Sequence, residues 1–336
     1  MGLRAWQADL LLLAVTAVWG ATFPLVKAAT TPPEGIPTFA FLSLRFDLAA
    51  LVLGLLTYRR VARSGWRTLA AGTFIGLILF SAFALQTLGL GRTTAAKAGF
   101  ITGLSVVLVP VVSLLWLRRP PAPGAWAGVC LAFAGLALMS LDGSSLVPGP
   151  GDLLVLGCAV GFAFHIAAVA RWAGPHDPVA LATIQVAVAG LASHLLTAAT
   201  GSWPGWGAIG SQVWQAVVIT GLFATAGAFW LQNTLQPYTT PTHTALIFSA
   251  EPIWAALFAW WLTGETLTPR GYLGGPLILA GMLLAELPGL RLPGRRTGQG
   301  EGRRPTQAAG RQVAGRHAAP EDDQAAARGG GRSAIR

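Results

Sequence analysis

Charge is what this sequence has least of. Only 11% of its 336 residues are Asp, Glu, Lys or Arg, while 53% are apolar. Soluble domains carry about 25% charged residues. A chain this poor in charge cannot clothe a water-facing surface, so a soluble enzyme is excluded. Cysteine is nearly absent: Cys130 and Cys158 are too few for a disulfide scaffold or a four-cysteine metal site. Histidine is sparse, and His165, His176, His194 and His243 show no metal-ligand spacing such as a helical histidine pair. The chain has no G-x-S-x-G nucleophile and no phosphate-cradling Walker loop. An integral-membrane enzyme therefore has no chemistry to work with, and no metal or organic cofactor is implied.

Arginine and glycine are present in quantity. The net charge of +10 suggests nucleic acid until its distribution is read. Residues 1–288 hold 13 Lys and Arg against 9 acids, whereas 289–336 hold 10 Arg against 4 acids. The basic character thus sits largely in a polar tail rich in Gly, Ala, Arg and Gln. That tail cannot bury a core and is expected to be disordered, an orientation anchor or a contact for anionic lipid headgroups. No nucleic-acid partner is implied. The 42 glycines follow no collagen-like period; membrane helices use glycine for close packing.

A bilayer core needs about 20 apolar residues per helix. Such stretches fall at about 8–28, 37–57, 68–90, 95–116, 124–142, 151–171, 178–199, 211–235, 241–262 and 271–288. Turn chemistry separates them, as in Thr31-Pro32-Pro33-Glu34-Gly35 and Pro148-Gly149-Pro150-Gly151. The first stretch is too long for a cleaved signal and reads as a retained helix. With the N-terminus in the cytoplasm, Arg4, Arg59, Arg60, Arg63, Arg67, Arg118, Arg119, Arg171 and the tail all fall inside, and only Lys27, Arg92, Lys97 and Arg270 fall outside. The C-terminus is then cytoplasmic too, and the chain is a multi-pass protein of a bacterial-type inner membrane.

The sequence also overlays on itself. Shifting 82–101 onto 228–247 brings Ala82-Phe83 onto Ala228-Phe229, Leu85-Gln86 onto Leu231-Gln232, Thr93-Thr94 onto Thr239-Thr240 and Lys97 onto His243. Residues 41–51 lie over 181–191, with Arg45 over Gln185. Two five-helix halves follow, 1–143 and 144–288, with the tail at 289–336. An odd number of helices per half inverts one half in the membrane, the architecture of secondary transporters. The expected fold class is all-α integral membrane, ten helices in two inverted repeats. Glycines four apart at Gly72/Gly76, Gly99/Gly103, Gly124/Gly128, Gly157/Gly161 and Gly271/Gly275 predict close helix contact.

Several segments resemble a known family. They are Trp19-Gly20-Ala21-Thr22-Phe23-Pro24, Leu44-Arg45-Phe46, Ala98-Gly99-Phe100-Ile101-Thr102-Gly103, and Glu251-Pro252-Ile253-Trp254 followed by Gly264-Glu265-Thr266. Together they are similar to the EamA family of the drug/metabolite transporter superfamily, over nearly all of 8–288. The resemblance implies ten helices, cytoplasmic termini, and export or exchange of small metabolites or drugs through a central cavity. It leaves the substrate open. The chain departs from symmetry at Arg118-Arg119-Pro120, where the second half has Gly264-Glu265, and at Pro110, four residues later than a counterpart of Pro252.

Charges inside a bilayer are costly and mark function by default. Glu251, beside Pro252, is either a proton carrier or a helix cross-link. Asp47 is a second candidate for proton coupling. Lys97 and His243, equivalent in the repeat, line gates or attract an anionic group, or else snorkel and pack. On a continuous helix His243 and Glu251 lie about 80° apart, within reach of one cavity. Arg45 either bonds backbone carbonyls or meets substrate. Gln86 and Gln232 either recognise a polar solute or join helices. Trp19, Phe23, Phe100 and Trp230 are candidate cavity walls, and Trp254, Trp260 and Trp261 fit an interfacial belt. The expected partners are a small-molecule substrate, the lipid bilayer and a second copy in a homodimer. The rival readings are a lipid or amphiphile flippase and a non-transporting membrane sensor.

Overall fold

Proline, glycine and capping side chains set the helix breaks. In the computed structural model the described residues are 5–118, 123–140, 148–172, 176–235 and 247–286. The helices are α1 (Ala5–Thr30), α2 (Thr38–Arg63), α3 (Trp66–Leu90), α4 (Ala95–Leu117), α5 (Pro123–Ser140), α6 (Pro150–Trp172) and α7 (Pro178–Ala199). After a 3-10 turn at Trp206–Ala208 comes one rod in three parts: α8 (Ser211–Val218), a π-helix (Ile219–Gly227) and α9 (Ala228–Leu235). The last helices are α10 (Glu251–Thr263) and α11 (Pro269–Glu286). All regular structure among the described residues is helical. His243 and the tail at 289–336 lie outside the described residues.

Local chemistry explains several ends. Thr94 caps α4 by accepting from the Lys97 backbone N–H. Asp177 caps α7 by accepting from Val179 and Ala180 N–H, with Pro178 in the first turn, where a missing donor costs nothing. Gly264 ends α10 with φ 69°, a left-handed turn that favours glycine.

Seven helices are long and apolar enough to cross a membrane: α1 to α4, α6, α7 and the α8–π–α9 rod. α5 is a shorter apolar helix, and α10 has 13 residues, about 20 Å at 1.5 Å each. The sequence reading of ten spans is thus matched by seven of full length among the described residues. Span nine also differs in form. Ala250 N–H bonds Ile247 O in a turn, and α10 starts afresh at Glu251. Pro252 is therefore a first-turn proline rather than a mid-helix kink. The unbroken helix that the expected 80° relation of His243 to Glu251 assumes is interrupted by the turn at Ser249–Ala250, and His243 itself lies outside the described residues.

Packing follows the small residues. α5 runs antiparallel against α11 through two reciprocal contacts. A methyl group on Gly128 would fall 2.6 Å from Gly281 O, and one on Gly135 would fall 2.6 Å from Gly274 O. The seam is built on glycines seven apart, two helical turns, rather than on the four-residue pairs expected at Gly124/Gly128 and Gly271/Gly275. The four-residue pairs do work elsewhere: Gly72 and Gly76 admit Ile184 and Val188 of α7, and Gly99 and Gly103 admit Ala255 and Pro252. α2 lies antiparallel to α7, pinned by Ser43 to Thr197 (3.4 Å) and Thr57 to Thr183 (2.9 Å). Phe41, Phe46, Leu42 and Leu104 are among the large side chains fully buried in the core.

The two ends of the bundle differ in charge. At one end the C-termini of α2, α4 and α6 and the N-terminus of α3 carry Arg59, Arg60, Arg63, Arg67, Arg118 and Arg171. There Arg60 meets Asp177 and Thr68 meets His176. At the other end Lys27 and Lys97 meet acids, described below.

Candidate functional site

Between these helices lies a cavity of about 800 Å³, within the range of small-molecule sites. Its walls come from α1 to α4, α6, α7, the α8–π–α9 rod, and residues near the starts of α10 and the end of α11. They reach from Gln86 in the last turn of α3 to Pro178 at the arginine end. The surface is mostly apolar and aromatic, with Trp19, Phe23, Phe83, Phe162, Phe229 and Phe248. A few polar groups converge on it: Arg45, Gln86, Thr102, His165, Gln185, Gln232 and Glu251.

Each polar group has a traceable position. Arg45 is 3% exposed and donates from Nε to Thr225 Oγ1 at 3.2 Å. Its guanidinium lies 4.5 Å from the centre of the Phe83 ring, a cation–π distance. Gln86 donates to Thr102 at 3.2 Å. His165 and Gln185 pair at 2.8 Å. Trp19 donates its indole N–H to Ala224 O at 2.9 Å, in the π-helix. Glu251 stands in the first turn of α10, where the helix dipole favours a carboxylate. Its carboxylate has no hydrogen bond or ion pair to another described residue.

Of the residues singled out in the sequence, Trp19, Phe23, Arg45, Gln86, Gln232 and Glu251 line this one cavity. Lys97, Phe100 and Asp47 do not. Lys97 bonds Asp152 at 3.2 Å, Phe100 packs against Gly275, and Asp47 meets His194 of α7 at 2.5 Å on a half-exposed face. Trp230 is exposed beside the α2–α7 seam rather than in the cavity. Trp260 and Trp261 are exposed at the end of α10.

At the lysine end two ion pairs join helix ends, and none of their residues lines the cavity. Lys27, at the end of α1, bonds Glu265, just past α10. The second Glu265 oxygen accepts from Ala95 N–H, the first residue of α4, at 2.7 Å. Asp152, in the first turn of α6, takes both Lys97 and the Thr93 hydroxyl. Two acids thus tie α1, α4, α6 and α10 together at one end.

Comparison with known proteins settles the family. The model of the EamA-like transporter family matches twice, over residues 6–141 and 149–287. The chain belongs to the EamA-like transporter family. An uncharacterised transporter of Archaeoglobus fulgidus is 35% identical over 288 residues, 85% of this chain and 88% of that protein. The uncharacterised transporter YwfM of Bacillus subtilis is 22% identical, covering 82% of this chain and 92% of its own. A solved crystal structure aligns with a TM-score of 0.59 at 21% identity, covering 84% of this chain and 97% of that one. That likeness speaks for the fold alone. This EamA-like chain is thus a multi-pass membrane protein whose family and relatives point to transport rather than catalysis.

Sequence reasoning did not single out Gln185, His165 or Thr102 of the EamA-like cavity, nor Thr225, which bonds Arg45 from outside the cavity lining. Gln185 was visible as the repeat partner of Arg45, and that overlay was the signal that could have placed it. His165 had no local motif. Thr225 belongs to a π-helix, whose register no propensity marks.

Proposed function

We propose that this protein is a secondary transporter that carries a small organic solute by alternating access through the central cavity. The observation that carries the reading is the cavity itself: apolar walls with a few polar groups, reached by helices from both halves of the chain.

Symmetry supports two inverted five-helix repeats, 1–143 and 144–288. A shift of 140 maps Ser43 onto Thr183 and Thr57 onto Thr197, so the hydroxyl pairs Ser43–Thr197 and Thr57–Thr183 exchange under it. A shift of 146 exchanges the glycine contacts Gly128–Gly281 and Gly135–Gly274 in the same way. Arg45 with Gln185, and Gln86 with Gln232, are repeat mates on one cavity. Two successive family matches of similar length agree with this division.

The arginine end faces the cytoplasm of a bacterial-type inner membrane, as the positive-inside rule requires. The ion pairs Lys27–Glu265 and Lys97–Asp152 hold the outer end shut in the conformation described, and rocking of the halves breaks them to open it. Glu251 is the proton carrier: it lines the cavity and lacks a described counter-ion. Solute and proton then compete for one cavity, which yields exchange.

The test is flux in liposomes holding the purified protein. Gradients of amino acids, sugars, nucleosides, organic acids and cationic dyes are imposed while internal pH is recorded. The expected result is solute-dependent pH change for one class, lost in Glu251→Gln. Solute movement without pH change would refute the proton role and leave the carrier reading intact. Absence of movement across the whole panel, in folded protein, would refute the carrier reading.

A further inference from the structure

A buried guanidinium needs its charge and donors satisfied, and the partners of Arg45 can be counted. Its Nε donates to Thr225 Oγ1. The Thr225 hydroxyl proton goes to Thr220 O, 2.8 Å away and five residues back. In an α-helix such a hydroxyl reaches three or four residues back; the wider π-turn moves the acceptor one further. The Thr225 lone pair is thereby left facing Arg45. Gly221 lets the two backbones close up, since a methyl group there would fall 2.8 Å from Arg45 O. The Phe83 ring takes one face of the guanidinium.

The terminal NH2 fork has no acceptor among the described residues. No described carboxylate is ion-paired to it. Asp47 turns to His194, Asp152 to Lys97 and Glu265 to Lys27. Glu251 enters from the start of α10, beside Pro252, which packs on Gly103 of α4; Arg45 sits among α2, α3 and the π-helix. The alternative read from the sequence, a bond from Arg45 to backbone carbonyls, is not formed among the described residues. What remains is a buried cation, 3% exposed, in the wall of a mostly apolar cavity. Phe83 and Phe162 meet edge-on at 5.1 Å beside it.

We infer that the solute is an organic anion with an apolar, ring-sized body, its carboxylate held by the Arg45 fork and its body lying along Phe83 and Phe162. This rests on the transport reading above and names the chemistry its cavity selects. The fork geometry of arginine matches a planar carboxylate. One unpaired arginine suits a monoanion better than a doubly charged phosphate, the more so with Glu251 in the same cavity. The anion supplies the counter-charge that no described residue provides.

The test is binding to the full-length protein in detergent, read by calorimetry, with three probes of one shape: 3-phenylpropanoate, 3-phenylpropanamide and 3-phenylpropylamine. The carboxylate should bind about tenfold to a hundredfold more tightly than the amide. Arg45→Gln should erase that preference and Arg45→Lys keep part of it. Thr225→Val, which removes the orienting hydroxyl, should weaken the carboxylate alone. Equal or tighter binding of the amide or amine to the unaltered protein overturns the inference, as does binding of no probe; neither depends on a variant folding. Full preference in a folded Arg45→Gln protein overturns it too. In liposomes, movement of the amide or amine but not the carboxylate sinks the anion while leaving transport. Arg45-dependent carboxylate binding with no movement of any solute sinks transport while leaving the anion site.

Discussion

Lys27 and Glu265 carry opposite charges at the tips of two helices, with 26% and 19% of their side chains exposed. Breaking such a pair costs less than in a dry core, because water reaches both groups. Lys27→Met leaves Glu265 with the Ala95 N–H alone, and we expect a loss of about 1–2 kcal/mol, read as a lower melting temperature. Asp152 is 4% exposed and takes two partners, so Asp152→Ala should cost more, about 2–4 kcal/mol; a smaller effect than Lys27→Met would contradict this ranking. Sequence reading picked Lys97 as a gate or cavity residue yet could not find Asp152. The two are 55 residues apart and on different helices, and no local pattern links them. Arg45, Gln86 and Glu251 were legible for the opposite reason: a polar group inside an apolar run needs an explanation wherever its partner lies.

At the scale of helices, the α5–α11 seam is a close backbone approach with glycines on both sides. Gly128→Val or Gly274→Val pushes carbon into a facing carbonyl. Overpacking of this kind costs about 1–3 kcal/mol, so both variants should lower the melting temperature sharply. Gly54→Ala, with nothing within 4 Å, should leave it unchanged. Equal effects at Gly128 and Gly54 would deny the seam its role. The α2–α7 hydroxyl pairs invite a double-mutant cycle, where Thr57→Val and Thr183→Val should couple by about 0.6 kcal/mol. Helix ranges were readable from apolar length, and α7 from its cap and first-turn proline. The same proline logic at Pro252 marks a helix start, but the apolar run around it read as one span. The glycine seam was misread because sequence shows spacing and not the partner helix: Gly271 meets its own Leu267, and Gly275 meets Phe100.

For the whole molecule, composition excluded a water-facing fold and the resemblance supplied a family, which the family matches bear out. Although Gln185 was not singled out as a site residue, the overlay of the two halves paired Arg45 with Gln185 and Gln86 with Gln232, and all four line one cavity. Its depth and the ion pairs at the lysine end were not legible, since they depend on how helices far apart in sequence meet. On the transport reading this cavity is the route, open toward the arginine end and shut at the lysine end. Accessibility of one cavity position tests it most directly. In protein with Cys130 and Cys158 replaced by alanine, Ser105→Cys places a thiol on the cavity wall. A membrane-impermeant maleimide should label it from the arginine side alone. Adding Lys27→Met and Lys97→Met should shift labelling toward the lysine side. Labelling from the lysine side with both ion pairs intact, or no response to their removal, would contradict the account.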